Sequence, residues 1–562
     1  MEIHSVIKNI PEIFYKGSLY EITRFQREYA WEKEEVSELL NDIFDSIIFN
    51  KENSEYENSD YFIGSLVMVK AENDVYQVID GQQRLTTISI ILSILIEKLK
   101  EFDSNAADKN YYKYIVYKDE KDNMRFKLKN ENIQDILYVS ILAWNKSDSV
   151  AHTLEEKRLK QNYEYIEKKI ESYITDNPQL KINSLINQID KLKTIFITVD
   201  DESEAYSIFE ILNSKGQELD SIDLIKNLLF KYCDSSFPID SAKKTWTEIK
   251  SNLLLRDKPL SIDEYFRTYW LSKNGYTPKA KLYQSVKKVV NNEEKSRILL
   301  TGLHNKVNLF QKINNPQTLD WRNNKVIFNC LNSLKQFNVK SAQPFIFSLL
   351  SKYELSPNIL KIREVKYILD VIEKFHFLFT AISSQRASGL DRLYAKYANL
   401  ITNSNSVRES REILREMKNK LLDKVPSFDT FEENFKKLYF TNEITKDKKL
   451  ITYIFKKIEE NRRRTSELSV YEISLEHIIP QSRDHKYVGS IGNILPLDIR
   501  LNNRMGNREY TQKIITLQSS ELKVVEEFVS EFGTLEEWTE ELVLSRTSSL
   551  AQMAYNVIWK FN

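Results

Sequence analysis

Near the C-terminus, the phrase Ser474-Leu475-Glu476-His477-Ile478-Ile479-Pro480 sets a carboxylate directly before one of only six histidines in 562 residues. Hydrolysing a phosphodiester takes a base to activate water and a cation to offset the charge that develops on the phosphate. His477 suits the first task, because a neutral imidazole titrates close to working pH. A hard cation such as Mg²⁺ takes oxygen ligands, which Glu476 and an asparagine carboxamide supply. Asn502 and Asn507 follow at a spacing expected to face one way along a helix, with Asn503 an alternative to Asn502. Asn493, in a Gly-Asn turn, is expected to fix the loop that holds His477. The plainer alternative is a strand-end histidine among turn-forming asparagines. His485, in a polar loop, reads as solvated. Arg462, Arg463 and Arg464 in a row, then Arg500, Arg504, Arg508 and Lys513, read either as phosphate contacts that weaken with salt or as solvated helix faces.

A second cluster lies at Asp80-Gly81-Gln82-Gln83-Arg84, between an apolar strand pattern and an apolar helix pattern. A strand that feeds a helix N-terminus presents unpaired N–H groups and the positive end of the helix dipole, a setting that attracts phosphate. Gly81 permits close backbone approach. Arg84 can hold a phosphate through two parallel hydrogen bonds, and Gln82 and Gln83 add neutral donors. Asp80 fits a helix cap, a metal-bound water or a ribose hydroxyl. Without function, Asp80 as cap and Arg84 as an ion-pair partner explain much of this. Two further groups stand beside similar joints: Gln26 and Arg27 among Phe25, Tyr29 and Trp31, and Asn213, Lys226 and Asn227 around the turn at Gly216. Tyr29 and Trp31 suit either stacking on a base or core packing.

These residues need a scaffold, and the chain is long enough for two to four domains. Hydrophobic residues make up 41% and aromatics 12%, which excludes wholesale disorder. The 81 basic and 81 acidic residues cancel, so nucleic-acid contact must come from local clusters. Two cysteines exclude a disulfide framework and a four-cysteine zinc site. The N-terminal residues show no signal-peptide pattern, and the apolar run Ile88–Ile96 is too short for a membrane span. A cytoplasmic setting is expected. "YFIGSLVMVK" and "VYQVID" predict a hairpin, "LTTISIILSILIEKLKEF" a helix and "KTIFITVDD" a further strand. Ser221 reads as a helix cap. Scarce glycine and proline, 11 of each, predict long helices through the middle. The expected class is α+β and mostly helical: an α/β head over 1–235, a helical middle over 236–440 and a compact tail over 441–562.

The three N-terminal phrases together resemble the N-terminal domain of the GmrSD-type, modification-dependent restriction enzymes. That resemblance implies a ParB/sulfiredoxin-like head whose "DGQQR" motif binds and hydrolyses a nucleoside triphosphate. It places Gln26, Arg27, Asp80, Gly81, Gln82, Gln83 and Arg84 in the pocket, with Asn213 and Lys226 in a third motif. Thr23 stands where the family usually carries proline, which leaves that loop less stiff. The C-terminal phrase resembles the HNH, or His-Me finger, nuclease of the same family, a small ββα-metal module. By that likeness His477 is the base, Asn493 the central asparagine, and Glu476, Asn502 and Asn507 the metal ligands. The implied activity is Mg²⁺-dependent cleavage or nicking of modified phage DNA under nucleotide control, in anti-phage defence. DNA and a nucleotide are the expected partners, no membrane is involved, and a homodimer is one option for the assembly. The rivals are a nucleotide-gated DNA-binding switch and an abortive-infection effector that does not cleave modified DNA.

Overall fold

Strands β5 (Tyr61–Lys70) and β6 (Val75–Asp80) form the hairpin that their β-branched and aromatic residues predict. They belong to a computed structural model that describes residues 4–14, 18–22, 28–50, 55–71, 74–119, 121–133, 136–200, 221–233, 241–256, 258–385, 388–463, 473–483 and 486–561. The chain is a mostly helical α+β protein with two compact units, Met1–Tyr232 and Cys233–Asn562.

In the first unit a six-stranded mixed sheet has the order β1-β10-β5-β6-β2-β9. It uses β1 (His4–Asn9), β2 (Leu19–Ile22), β9 (Leu128–Asn130) and β10 (Leu192–Val199) beside the hairpin. β10 runs parallel to β5, and β2 runs parallel to both β6 and β9. Two small hairpins, β3 (Ile47–Asn50) with β4 (Glu55–Asn58) and β7 (Val116–Lys118) with β8 (Met124–Phe126), stand apart from it. The helix Gln82–Lys100 is buried over most of its length, as a helix apolar nearly all round must be. Its serines are satisfied locally or across the core: Ser89 donates to the Leu85 carbonyl and Ser93 to that of Ile141. The helix starts three residues earlier than the apolar pattern implies. Gln82, Gln83 and Arg84 therefore form its first turn.

Among its described residues, the second unit is helical apart from one short ribbon. Strand β11 (Ile473–His477) pairs antiparallel with β12 (Ile494–Asp498), setting Glu476 opposite Leu495 and His477 opposite Ile494. The helix Ile499–Met505 follows directly, so the local order is strand, loop, strand, helix. Leu495, Leu497, Ile478, Met505, Phe528 and Val543 pack the core under this ribbon. Elsewhere in the unit, Trp559 stacks on Phe377 with ring centroids 3.8 Å apart. Tyr453 donates to Glu373 at 2.8 Å, and Lys457 pairs with the same carboxylate at 2.9 Å. Among the described residues no helix is long and apolar enough to cross a membrane.

Candidate active site

His477 closes β11 and is only 4% exposed. Its Nε2 lies 2.8 Å from the Phe440 carbonyl oxygen. A carbonyl only accepts, so Nε2 carries the hydrogen. On the other side, Gln481 Oε1 accepts the backbone N–H of Asn442 at 2.8 Å, which fixes the amide's orientation. Gln481 Nε2 therefore donates to His477 Nδ1, 3.0 Å away. The network assigns one tautomer, neutral imidazole with its lone pair on Nδ1. Burial pushes the ring's pKa down; the nearby Lys513 ammonium acts in the same direction, and the Phe440 carbonyl opposes them. A neutral ring is what a base requires.

Asn493 is fully buried and spends its whole carboxamide on the loop. Its oxygen accepts from the Ile479 N–H at 2.8 Å, and its nitrogen donates to the carbonyls of Ile479 at 3.1 Å and Val488 at 2.7 Å. It ties the loop after His477 together through both amide hydrogens and its oxygen. The helix Glu540–Met553 grips the same turn: Arg546 donates to the carbonyls of Gly492 and Ile494 at 2.6 and 2.9 Å. A Cβ on Gly492 would overlap the Val543 carbonyl and the Thr547 hydroxyl, so only glycine fits there.

Glu476, beside the base, is bound by Lys513. The ammonium sits 2.5 Å from Glu476 Oε1 and 2.5 Å from the His477 carbonyl, with the lysine side chain 1% exposed. Burial raises the Glu476 pKa, and Lys513 counters it. Lys513 is thus neither a phosphate contact nor part of a solvated face, the two alternatives its spacing with the arginines allowed. Asn502 is half-buried on the helix Ile499–Met505, its amide nitrogen 3.5 Å from the Leu475 carbonyl. Asn507 departs from expectation: the helix stops at Met505, Gly506 takes a φ of 54°, and Asn507 lies exposed in the turn beyond. The two asparagines do not share a helix face. Among the described residues no three His, Cys, Asp or Glu side chains form a group able to hold a metal. A carboxylate with amide oxygens is donor chemistry for a hard cation and not for zinc, but here Lys513 holds the Glu476 carboxylate.

The arginines divide. Arg462 pairs with Glu527 at 3.1 Å and Arg463 with Glu459 at 2.6 Å, so both serve the protein's own carboxylates. Arg464 and His485 lie outside the described residues. Arg500, Arg504 and Arg508 are exposed on and after the helix that carries Asn502.

The Asp80–Arg84 cluster has its own geometry. Gly81, not Asp80, caps the helix, at φ 86°, and no side chain caps it. A Cβ there would be strained by the left-handed backbone and would overlap Leu66. Asp80 ends β6 and lies 3.6 Å from Arg84 Nη2. Burial raises the Asp80 pKa, against the Arg84 charge and the Gly81 N–H. Arg84 Nη1 donates to the Ile63 carbonyl at 2.8 Å, in the space that Gly64 leaves by lacking a side chain. Gln83 reaches the Gln-Arg phrase: its oxygen accepts from the N–H groups of Ala30 and Trp31 at 2.8 and 3.3 Å, and its nitrogen donates to the Glu28 carbonyl at 3.1 Å. Tyr29 is core, 2% exposed, its hydroxyl 2.8 Å from Thr87 Oγ1, while Trp31 is half-buried against the same core. Lys226 is buried on the helix Ser221–Tyr232. Gln26, Arg27 and Asn213 lie outside the described residues.

Two family models match the chain: the GmrSD restriction endonuclease N-terminal domain over residues 8–230, and the C-terminal domain over residues 426–553. The chain belongs to the GmrSD restriction endonuclease family. No curated protein matches it. The GmrSD N-terminal match contains the whole Asp80–Arg84 joint, and the C-terminal match contains His477, Asn493 and their partners Phe440, Gln481, Lys513 and Arg546. As a family of restriction endonucleases, GmrSD proteins are nucleases with DNA as substrate. Phe440, Gln481 and Arg546 were not singled out from the sequence, and Lys513 was given another role. Gln481 had a signal, being four residues beyond His477. The Phe440 carbonyl, Arg546 and the true role of Lys513 had none, since each depends on distant chain segments meeting.

Proposed function

We propose that this GmrSD chain is a single-chain, Mg²⁺-dependent endonuclease that cleaves or nicks modified phage DNA, with cutting controlled by a nucleoside triphosphate bound and hydrolysed in the N-terminal unit. The observation that carries the cutting half is the neutral His477, lone pair on Nδ1, held beside Glu476 by a ribbon and loop that Asn493 locks. His477 Nδ1 takes the proton of a water that attacks the phosphodiester. Glu476 and Asn502 would hold the cation, with Lys513 steadying the carboxylate. When bound, Mg²⁺ supplies charge to offset that developing on the phosphate. Exposed Arg500, Arg504 and Arg508 supply phosphate contacts.

The nucleotide half rests on the Gly81 joint, where a glycine-opened helix N-terminus meets Arg84. Arg84, Gln82 and the Gly81 backbone contact phosphate, with Gln26, Arg27, Asp80, Asn213 and Lys226 completing the pocket. Gln83 positions the loop that follows Arg27. Residues 1–235 then sense nucleotide, 236–440 relay its state and 441–562 cut. The test is incubation of wild-type and Arg84→Ala protein with Mg²⁺, each nucleoside triphosphate, and phage DNA with plain, hydroxymethylated or glucosylated bases. Wild type should cut one modified DNA in a nucleotide-dependent way, and Arg84→Ala should lose hydrolysis and nucleotide dependence. Wild-type protein that leaves every DNA intact would overturn the proposal.

A further inference from the structure

We propose that Gln481 is a latch on the catalytic base: it occupies the single lone pair of His477 and must swing away before His477 can act. The latch rests on the nuclease reading above and adds regulation to it. A neutral imidazole has one acceptor nitrogen. Here that nitrogen, Nδ1, already receives a hydrogen bond from Gln481 Nε2 at 3.0 Å. A nucleophilic water would have to donate to the same lone pair, so water and amide exclude each other.

The second nitrogen offers no way round. Nε2 is 2.8 Å from the Phe440 carbonyl, and the opposite tautomer would set lone pair against lone pair at Phe440 and N–H against N–H at Gln481. Nor can the amide flip at no cost, because its oxygen is tied to the Asn442 N–H at 2.8 Å. Phe440 and Asn442 belong to one short segment, which donates to the Gly489 carbonyl through the Phe440 N–H at 2.8 Å. This segment grips the ring from one side directly and from the other through Gln481. Gln481 itself is half-buried and lies in the loop whose exposed Arg483 pairs with Glu509. A DNA phosphate oxygen entering there competes for the amide donor, so substrate itself frees the base.

The test reads the ring before it reads cutting. In full-length protein with ¹⁵N-labelled histidine, His477 should show a protonated Nε2 and an unprotonated, hydrogen-bonded Nδ1; the reverse tautomer would overturn the latch even if no variant folds. Diethylpyrocarbonate, which attacks unprotonated imidazole nitrogen, should modify His477 about fivefold faster in Gln481→Ala than in wild type, the factor expected for losing one hydrogen bond. The partly exposed His304, paired with Glu248, is the internal standard and should react equally in both. Equal His477 rates would overturn the proposal. Nicking of modified DNA, run in parallel, separates the two readings: a rate difference at His477 with no cutting by either protein would keep the latch and remove the nuclease.

Discussion

At the scale of single residues, the site is a set of buried polar groups that each answer another. Lys513 is the clearest case. Its ammonium is shared between the Glu476 carboxylate and the His477 carbonyl and is sealed from water. Removing one partner of such a pair leaves an uncompensated buried charge, which costs several kcal/mol. Lys513→Met should therefore lower stability by about 3 kcal/mol in urea unfolding, and calorimetric titration with Mn²⁺ should show altered affinity as Glu476 loses its anchor. Unchanged stability would mean the pair is absent in solution. Order along the chain singled out Glu476, His477 and Asn493, because strand end and loop amide are close in sequence. Lys513 lies 36 residues from His477, and its spacing matched arginines that face solvent. A periodic pattern cannot tell a buried cation from an exposed one.

At the scale of elements, the β5–β6 hairpin and β10 were readable because β-branched and aromatic residues run between turn formers. The ends of helices were read less well. The helix after β6 begins at Gln82 because Gly81 adopts a left-handed conformation that no apolar pattern reports. The helix after β12 ends at Met505, and Gly506 was the available sign. The helix Ile362–His376 carries a testable feature of its own. His376 is buried, with its ring nitrogens 2.8 Å from the hydroxyls of Thr380 and Tyr394, and burial pushes its pKa down to about 3. An unfolded chain takes up this proton near the ordinary value of 6.5 while the folded chain does not. The stabilisation is thus complete above pH 6.5 and declines as acid is added toward pH 3. At pH 5 the loss from this group is about 2 kcal/mol relative to pH 7. In His376→Gln the gap between urea midpoints at pH 7 and pH 5 should shrink by that share; an unaltered gap would show that the ring titrates normally.

At the scale of the whole molecule, each of the two compact units carries its own polar cluster. The first sets a glycine-opened helix start beside Arg84, and the second sets a neutral histidine beside a carboxylate. The helices between residues 241 and 463 and the β11–β12 ribbon lie in a single unit, where Trp559 stacks on Phe377 and Tyr453 bonds to Glu373. Their helical nature was plain from scarce glycine and proline, whereas their packing partners depend on aromatic contacts that composition does not order. The proposed role of His477 is that of the base that activates water against the DNA phosphodiester. It is tested most directly by single-turnover nicking of modified phage DNA with Mg²⁺, comparing wild type with His477→Ala at matched nucleotide hydrolysis. The prediction is a fall of about 10³-fold in nicking with hydrolysis retained. Nicking by His477→Ala at the wild-type rate would contradict it.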